Sequence, residues 1–273
     1  IEVAPELTAT ELSGDCDDKA AAYDLERLGY AATLDNNGEA LGCIEGGAKD
    51  PVGRRSDVLV IKRAVPRPFS AGPRVRDPND PPGTTIDTPS ELEDGRVYVM
   101  TNNVSGLLFD GSSPPSISIG GEIPGGTAWE YQYEIFYIRQ KSEDPEVPRM
   151  LSRRVLTYNQ STSTMEFPDD PEDLAEGVES MQLLFGYDSD SDGEVDTYKD
   201  PSSIEADGNW EGVESIEVFM LVRSAVKDVQ YRDEKTYKLG DVTIDPKYDN
   251  YRRLISHTSV SLRNLKLMIR GGA

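Results

Sequence analysis

The stretch Asp188-Ser-Asp-Ser-Asp-Gly-Glu-Val-Asp196 places five carboxylates within nine residues. Asp188, Asp190, Asp192, Gly193 and Asp196 follow the pattern D-x-D-x-D-G-x-x-D. Alternate aspartates in a tight loop direct their carboxylates toward one point. Calcium suits such a site because it takes six to eight oxygen ligands at flexible distances. Gly193 permits the sharp turn. Glu194, at the seventh position, would offer its backbone carbonyl, and Asp196, at the ninth, would bind directly or through water. Asp188, Asp190, Asp192, Glu194 and Asp196 are therefore the expected metal ligands, and Ca2+ the expected cofactor. The twelfth position is Lys199, where an EF-hand has a bidentate Glu. A further ligand would then come from Asp200 or water. Magnesium is the weaker alternative, given its stricter octahedral geometry, and a solvated acidic turn is the other. The D-x-D element also occurs in phosphoryl and glycosyl transfer, but no helper motif accompanies it here.

An EF-hand loop is held by helices, whereas strands flank this one. Val178–Tyr187 and Val213–Ser224 read as strands, with Ile216, Val218, Met220 and Val222 on one face of the second. The ion would neutralise the carboxylates and pin the crossover between the two. Ser56–Val65 is apolar on both faces and reads as a central strand. Trp129–Gln140 alternates with period two, setting Trp129, Tyr131, Tyr133, Ile135 and Tyr137 on one face. That face is core or, alternatively, an aromatic platform for a sugar. Arg149–Tyr158 pairs with it across SEDPEVP. Arg96–Thr101 and Ser116–Ile119 are short strands, and Thr258–Arg270 is the last. Residues 66–95 are rich in Pro, Gly and Asp and read as an irregular excursion. Residues 17–29 read as a helix, with Ala21, Leu25, Leu28 and Ala32 on its apolar face and Gly29 at its end. One helix followed by antiparallel strands gives an α+β class.

The bulk properties narrow the function. At 273 residues the chain can bury a sizeable core. A net charge of −22 repels phosphate backbones, so no nucleic-acid partner is expected. The two cysteines, Cys16 and Cys43, have no metal-ligand spacing. They read as one disulfide in an oxidising compartment, or as two buried free thiols. His257 is the sole histidine, and no P-loop, GxGxxG or GxSxG occurs, so the chain is not expected to be an enzyme.

Gly177–Tyr198 (GVESMQLLFGYDSDSDGEVDTY) resembles the PilW family of type IV pilus minor pilins, in which a GVE-M strand runs into a D-x-D-x-D-G-x-x-D segment. Trp210–Ser224 and Tyr251–Asn264 (YRRLISHTSVSLRN) resemble the later strands of that family. Arg27–Tyr30 followed by Cys43 is similar to its R-x-GY-x-GC element, with Asp35–Leu41 as an apparent insertion. The resemblance implies a pilin-like single domain over 1–273, in which an N-terminal helix packs on antiparallel sheet with the calcium loop between two strands. Residues 1–35 would be the remnant of that helix and 56–273 the β-rich region. It implies a minor pilin that primes pilus assembly near the tip. Its partners would be other minor pilins and the major pilin. Its place would be the bacterial inner membrane and periplasm and then the extracellular pilus. The chain begins at Ile1, so the membrane-anchoring helix would precede it. A type II secretion pseudopilin and an extracellular calcium-stabilised binding or adhesion module are the alternatives.

Overall fold

The computed structural model describes residues 2–3, 29–33, 41, 44, 56–68 and 92–262, apart from 103, 209, 211 and 246. Among these residues sixteen strands run in order: β1 (Glu2–Val3), β2 (Gly29–Thr33), β3 (Asp57–Pro68), β4 (Val97–Thr101), β5 (Gly106–Asp110), β6 (Thr127–Arg139), β7 (Met150–Val155), β8 (Thr157–Asn159), β9 (Thr164–Glu166), β10 (Glu172–Glu176), β11 (Val178–Tyr187), β12 (Thr197–Lys199), β13 (Val213–Arg223), β14 (Tyr237–Leu239), β15 (Val242–Ile244) and β16 (Arg253–Ser261). One helix, α1 (Pro201–Asp207), lies between β12 and β13.

This corrects the α+β expectation. Among the described residues the protein is nearly all β, with no N-terminal helix packed on a sheet. The helix expected over 17–29 lies outside the described residues except for Gly29, which opens β2. Ala32, placed on that helix's apolar stripe, is a strand residue. The β2 backbone is bonded into a ladder beside β3, and a ladder overrides a weak local helix propensity.

The chain forms two compact units. The first comprises residues 1–28, 61–134 and 155–169. Its β4 pairs antiparallel with β5 on one side and with β6 on the other, and β1 runs parallel to β5. Tyr98, Met100, Phe109, Ile117, Ile123 and Ala128 form its core. The Tyr98 and Phe109 rings stack with centroids 5.8 Å apart. Ser116–Ile119 is not a strand. That segment closes on itself instead, with Ile123 N donating to Ser116 O (3.1 Å) and Gly125 N to Ile117 O (2.9 Å).

The second unit comprises residues 29–60, 135–154 and 170–273. Its main sheet has the order β12-β11-β13-β16 and is antiparallel throughout. Met181, Leu183, Phe185 and Tyr187 alternate along β11 into one core, as period two requires. Val178, Ile138 of β6, Val213 and Val218 from β13, Ile204 from α1 and Trp210 join it. Ile216, Met220 and Val222 pack against the same cluster, which is the face read from the sequence. Leu221 from the other side of β13 packs with Tyr237, Leu239 and Ile244 of the β14–β15 hairpin. Beside β11, Ser56 Oγ accepts from Met181 N (2.9 Å) and Asp57 Oδ2 from Leu183 N (2.9 Å), so buried side chains satisfy β11 backbone that no strand reaches among the described residues. Along β6, Tyr131, Tyr133, Ile135 and Tyr137 are buried. The three tyrosines are core and offer no sugar platform, and Trp129 is half-buried. The expected strand over Thr258–Arg270 begins earlier, at Arg253, and residues beyond 262 lie outside the described ones.

Candidate metal centre

The acidic loop leaves β11 at Tyr187 and returns through β12. Two backbone bonds fix its base. Asp196 N donates to Tyr187 O (3.0 Å), and Asp188 N donates to Gly212 O (2.8 Å). Gly186 leaves room for the Ser215 and Val195 side chains, because a Cβ there would stand 2.2 Å from Ser215 Oγ. Inside the loop the aspartates organise the chain around themselves. Asp188 Oδ1 accepts from Ser191 N (2.7 Å) and Asp190 N (3.2 Å), and its Oδ2 accepts from Gly193 N (2.6 Å). Asp196 Oδ2 accepts from Ser189 N (2.8 Å) and Ser189 Oγ (2.6 Å). Gly193 adopts φ 88°, a left-handed conformation that glycine takes without steric cost.

Carboxylate oxygens of Asp188, Asp190 and Asp196 lie within 4.8 Å of one another. Two oxygens on opposite sides of a calcium ion stand roughly 4.6–5.2 Å apart, so the separation matches the span of one coordination shell. Asp188 is buried, whereas Asp190 and Asp196 are exposed. Burial acts to raise the Asp188 carboxyl, but backbone N–H groups of Gly193, Ser191, Asp190 and Asp192 outweigh it and hold the group below its ordinary range. Asp196 is also held low, first by the Ser189 hydroxyl and then by the Ser189 N–H. Both groups are therefore ionised at neutral pH, the state a metal ligand requires.

The other candidates are placed differently. Asp192 Oδ1 accepts from Glu194 N (2.8 Å), and neither Asp192 nor Glu194 joins the three converging carboxylates. Asp200 is engaged at the start of α1, where its Oδ1 accepts from Ser202 N (2.9 Å) and Ser203 N (3.2 Å) as a helix N-cap with Pro201 at the first turn. Lys199 turns away from the acidic residues of the loop. Its Nζ lies 3.7 Å from the Tyr187 ring centroid and 2.7 Å from Asp207 Oδ2. Cys16 and Cys43, the expected disulfide, lie outside the described residues.

A second acidic cluster escaped the sequence reading. Arg253 is almost fully buried at the start of β16. It forks onto Glu179 with Nε at 2.5 Å and Nη2 at 3.0 Å. It also donates to Asp249 twice at 2.7 Å and to Asp233 at 2.8 Å. Asp233 is wholly buried and accepts further bonds from Tyr237 Oη (2.7 Å) and Tyr231 Oη (3.1 Å). Burial opposes the charge on Arg253, but its bonds to Asp249 and Glu179 prevail and raise its pKa. Burial, then the neighbouring Asp233, pushes the Tyr237 hydroxyl up. The partners are up to 74 residues apart in sequence, so no local spacing announces them. The one available signal was paired arginines at the mouth of a strand.

Residues 135–264 match the family described as PilW, type IV pilus-assembly protein W. No curated protein and no solved structure matches the chain.

Proposed function

We propose that this chain, whose residues 135–264 belong to the PilW family of type IV pilus-assembly proteins, acts as a minor pilin that primes the pilus, with the 188–196 loop as a calcium staple. The family match carries the pilus assignment, and the family places its members in the bacterial envelope. Among the described residues no helix is long and apolar enough to cross a membrane. Inner-membrane anchorage belongs to the same proposal. The partners are other minor pilins and the major pilin, and the position is close to the pilus tip. The work is done by packing, without a catalytic step.

Convergence of Asp188, Asp190 and Asp196 supports the staple. Calcium would screen three carboxylates that repel one another and would tie the exit of β11 to the return through β12. Asp188 and Asp196 are the better held ligands, since backbone and Ser189 donors already fix their orientation. Asp190 closes the third side.

The test is a thermal melt in chelator and in calcium, for the wild type and for Asp190→Ala. A ligand that binds only the folded state stabilises it by about 2.7 kcal/mol at a hundredfold excess over its dissociation constant. The wild type should gain several degrees with calcium, and Asp190→Ala should gain little. Equal melting points in chelator and calcium would remove the staple. The pilus assignment is tested separately by deleting the gene, which should abolish surface pili. Normal piliation in the deletion strain would count against it.

A further inference from the structure

Among the described residues β16 is the outermost strand of its sheet, and it differs from the strands inside it. Every residue from Leu254 to Ser261 is exposed. Leu254, Ile255 and Val260 are 60%, 39% and 50% exposed. The backbone shows which groups face outward. Leu262 N donates to Glu214 O and Ser224 N to Arg252 O, both at 2.8 Å. These bonds bracket a register in which Ser215 faces Ser261 and Arg223 faces Arg253 without a bulge. Antiparallel pairs alternate between bonded and non-bonded. Leu254, Ser256, Thr258 and Val260 therefore exchange bonds with β13. The N–H and C=O groups of Ile255, His257 and Ser259 turn to the open side.

Exposed edges are normally blunted by charge, proline or a bulge. The segment Leu254–Ser261 (LISHTSVS) contains no Lys, Arg, Asp, Glu or Pro. The charge around it is also singular. The chain carries −22 overall, yet residues 251–273 include five basic residues and no acidic one. Arg252 is paired with Asp228, and Arg253 with Glu179, Asp233 and Asp249, which leaves Arg263, Lys266 and Arg270 after the strand. A second copy added strand to strand about a two-fold axis would bring Leu254–Ser261, which has no carboxylate to offer these cations.

We infer that the outer edge of β16 receives an extended segment of a different subunit, acidic at the end beside Ser261, by main-chain strand addition. Backbone groups of Ile255, His257 and Ser259 form the ladder. Leu254 and Val260 on one face and Ile255 on the other supply apolar contacts, since alternate residues project to opposite faces. The site is independent of the calcium loop, and it rests on the pilus reading only for the source of the segment.

Two variants test it. Ser259→Pro deletes an outward N–H while sparing the bonds to β13, a position where an edge strand tolerates proline. Ser259→Glu keeps the N–H and adds a repelling charge. The probes are the soluble domains of the other pilins of the same pilus, each alone. Two synthetic ten-residue Val/Thr peptides accompany them, one ending in Glu and one in Lys. The readouts are affinity and amide hydrogen exchange at Ile255, His257 and Ser259. One pilin domain should slow all three amides, and each variant should weaken it about tenfold or more, the loss expected for one or two interfacial bonds. The Glu-ended peptide should bind tighter than its Lys twin. A pilin domain that binds while the three amides exchange freely overturns the inference and leaves the pilus reading intact. Protection by the Glu-ended peptide when no pilin binds supports the strand site and removes the pilus partner. Protection that follows self-association overturns it in favour of a second copy, and no protection by any probe overturns it outright.

Discussion

The Asp188–Asp196 loop and the Arg253 cluster each bring three carboxylates together, and they relieve the repulsion in opposite ways. Around Arg253 the counter-charge is covalently part of the fold. The guanidinium reaches Glu179, Asp233 and Asp249 at once, which its planar fork of donors permits. In the loop no basic side chain approaches among the described residues, and the partners of Asp188 and Asp196 are backbone N–H groups and Ser189. Such donors orient carboxylates but bring no net positive charge. One cluster is complete when the chain folds. The other holds its geometry and would take its charge from solution.

The largest effect should come from removing the internal cation. Arg253→Met leaves Glu179 and the wholly buried Asp233 without their partner. Breaking a buried pair from one side costs about 3–5 kcal/mol, which urea denaturation would read directly. Arg253→Lys should recover only part of this, because an ammonium cannot address Glu179 through two parallel bonds. A loss under 1 kcal/mol for Arg253→Met would mean that the cluster contributes little to folding.

Taking away one carboxylate from each cluster sharpens the contrast, because the sign should differ. Asp249→Asn removes a partner that Arg253 holds by two bonds. It should destabilise in every buffer, by about 1–2 kcal/mol, the range for a hydrogen bond to a charged group reduced for partial exposure. Asp190→Ala should leave the melting point unchanged or raised in chelator, since it relieves like-charge repulsion. In calcium the same substitution should lower it below the wild type. Identical behaviour of the two variants in both buffers would dissolve the distinction.

Much of this second unit was legible in the sequence. Period-two alternation placed β11 at Val178–Tyr187, and the D-x-D-x-D-G-x-x-D spacing picked out three aspartates that do converge. Both signals are local, and the backbone enforces them within a few residues. What escaped depends on distant partners. Ser56 and Asp57 serve the backbone of Met181 and Leu183 across 125 and 126 positions. The role of Arg253 likewise exists only once β11, β13 and β16 are side by side. The departure from an EF-hand at Lys199 was legible too, and its reason is that the chain has already entered β12 there. Ser116–Ile119 failed because its apolar alternation is consumed by a closed loop, in which Ile117 faces the core while Ile119 is exposed.

Asp173 offers a third ratio of charges, with cations in excess, and the smallest expected effect. Its carboxylate meets Arg139 at 2.8 Å, Lys141 at 2.5 Å and Ser152 Oγ at 2.7 Å. Partial burial opposes ionisation, but Lys141, Ser152 and Arg139 together lower the pKa to about 2. The folded value lies below the unfolded value of about 3.9, so the unfolded chain binds the proton more readily. The resulting stabilisation is whole above pH 4 and fades as pH falls toward 2. The group stays about a quarter exposed (side chain 23%), so solvent screening limits the gain to less than about 1 kcal/mol. Asp173→Asn should therefore flatten the acid limb of the stability curve between pH 4 and 2 and shift the neutral-pH midpoint little. Added salt should shrink that difference, while the cost of Arg253→Met should persist, because a buried pair is screened far less than an exposed one.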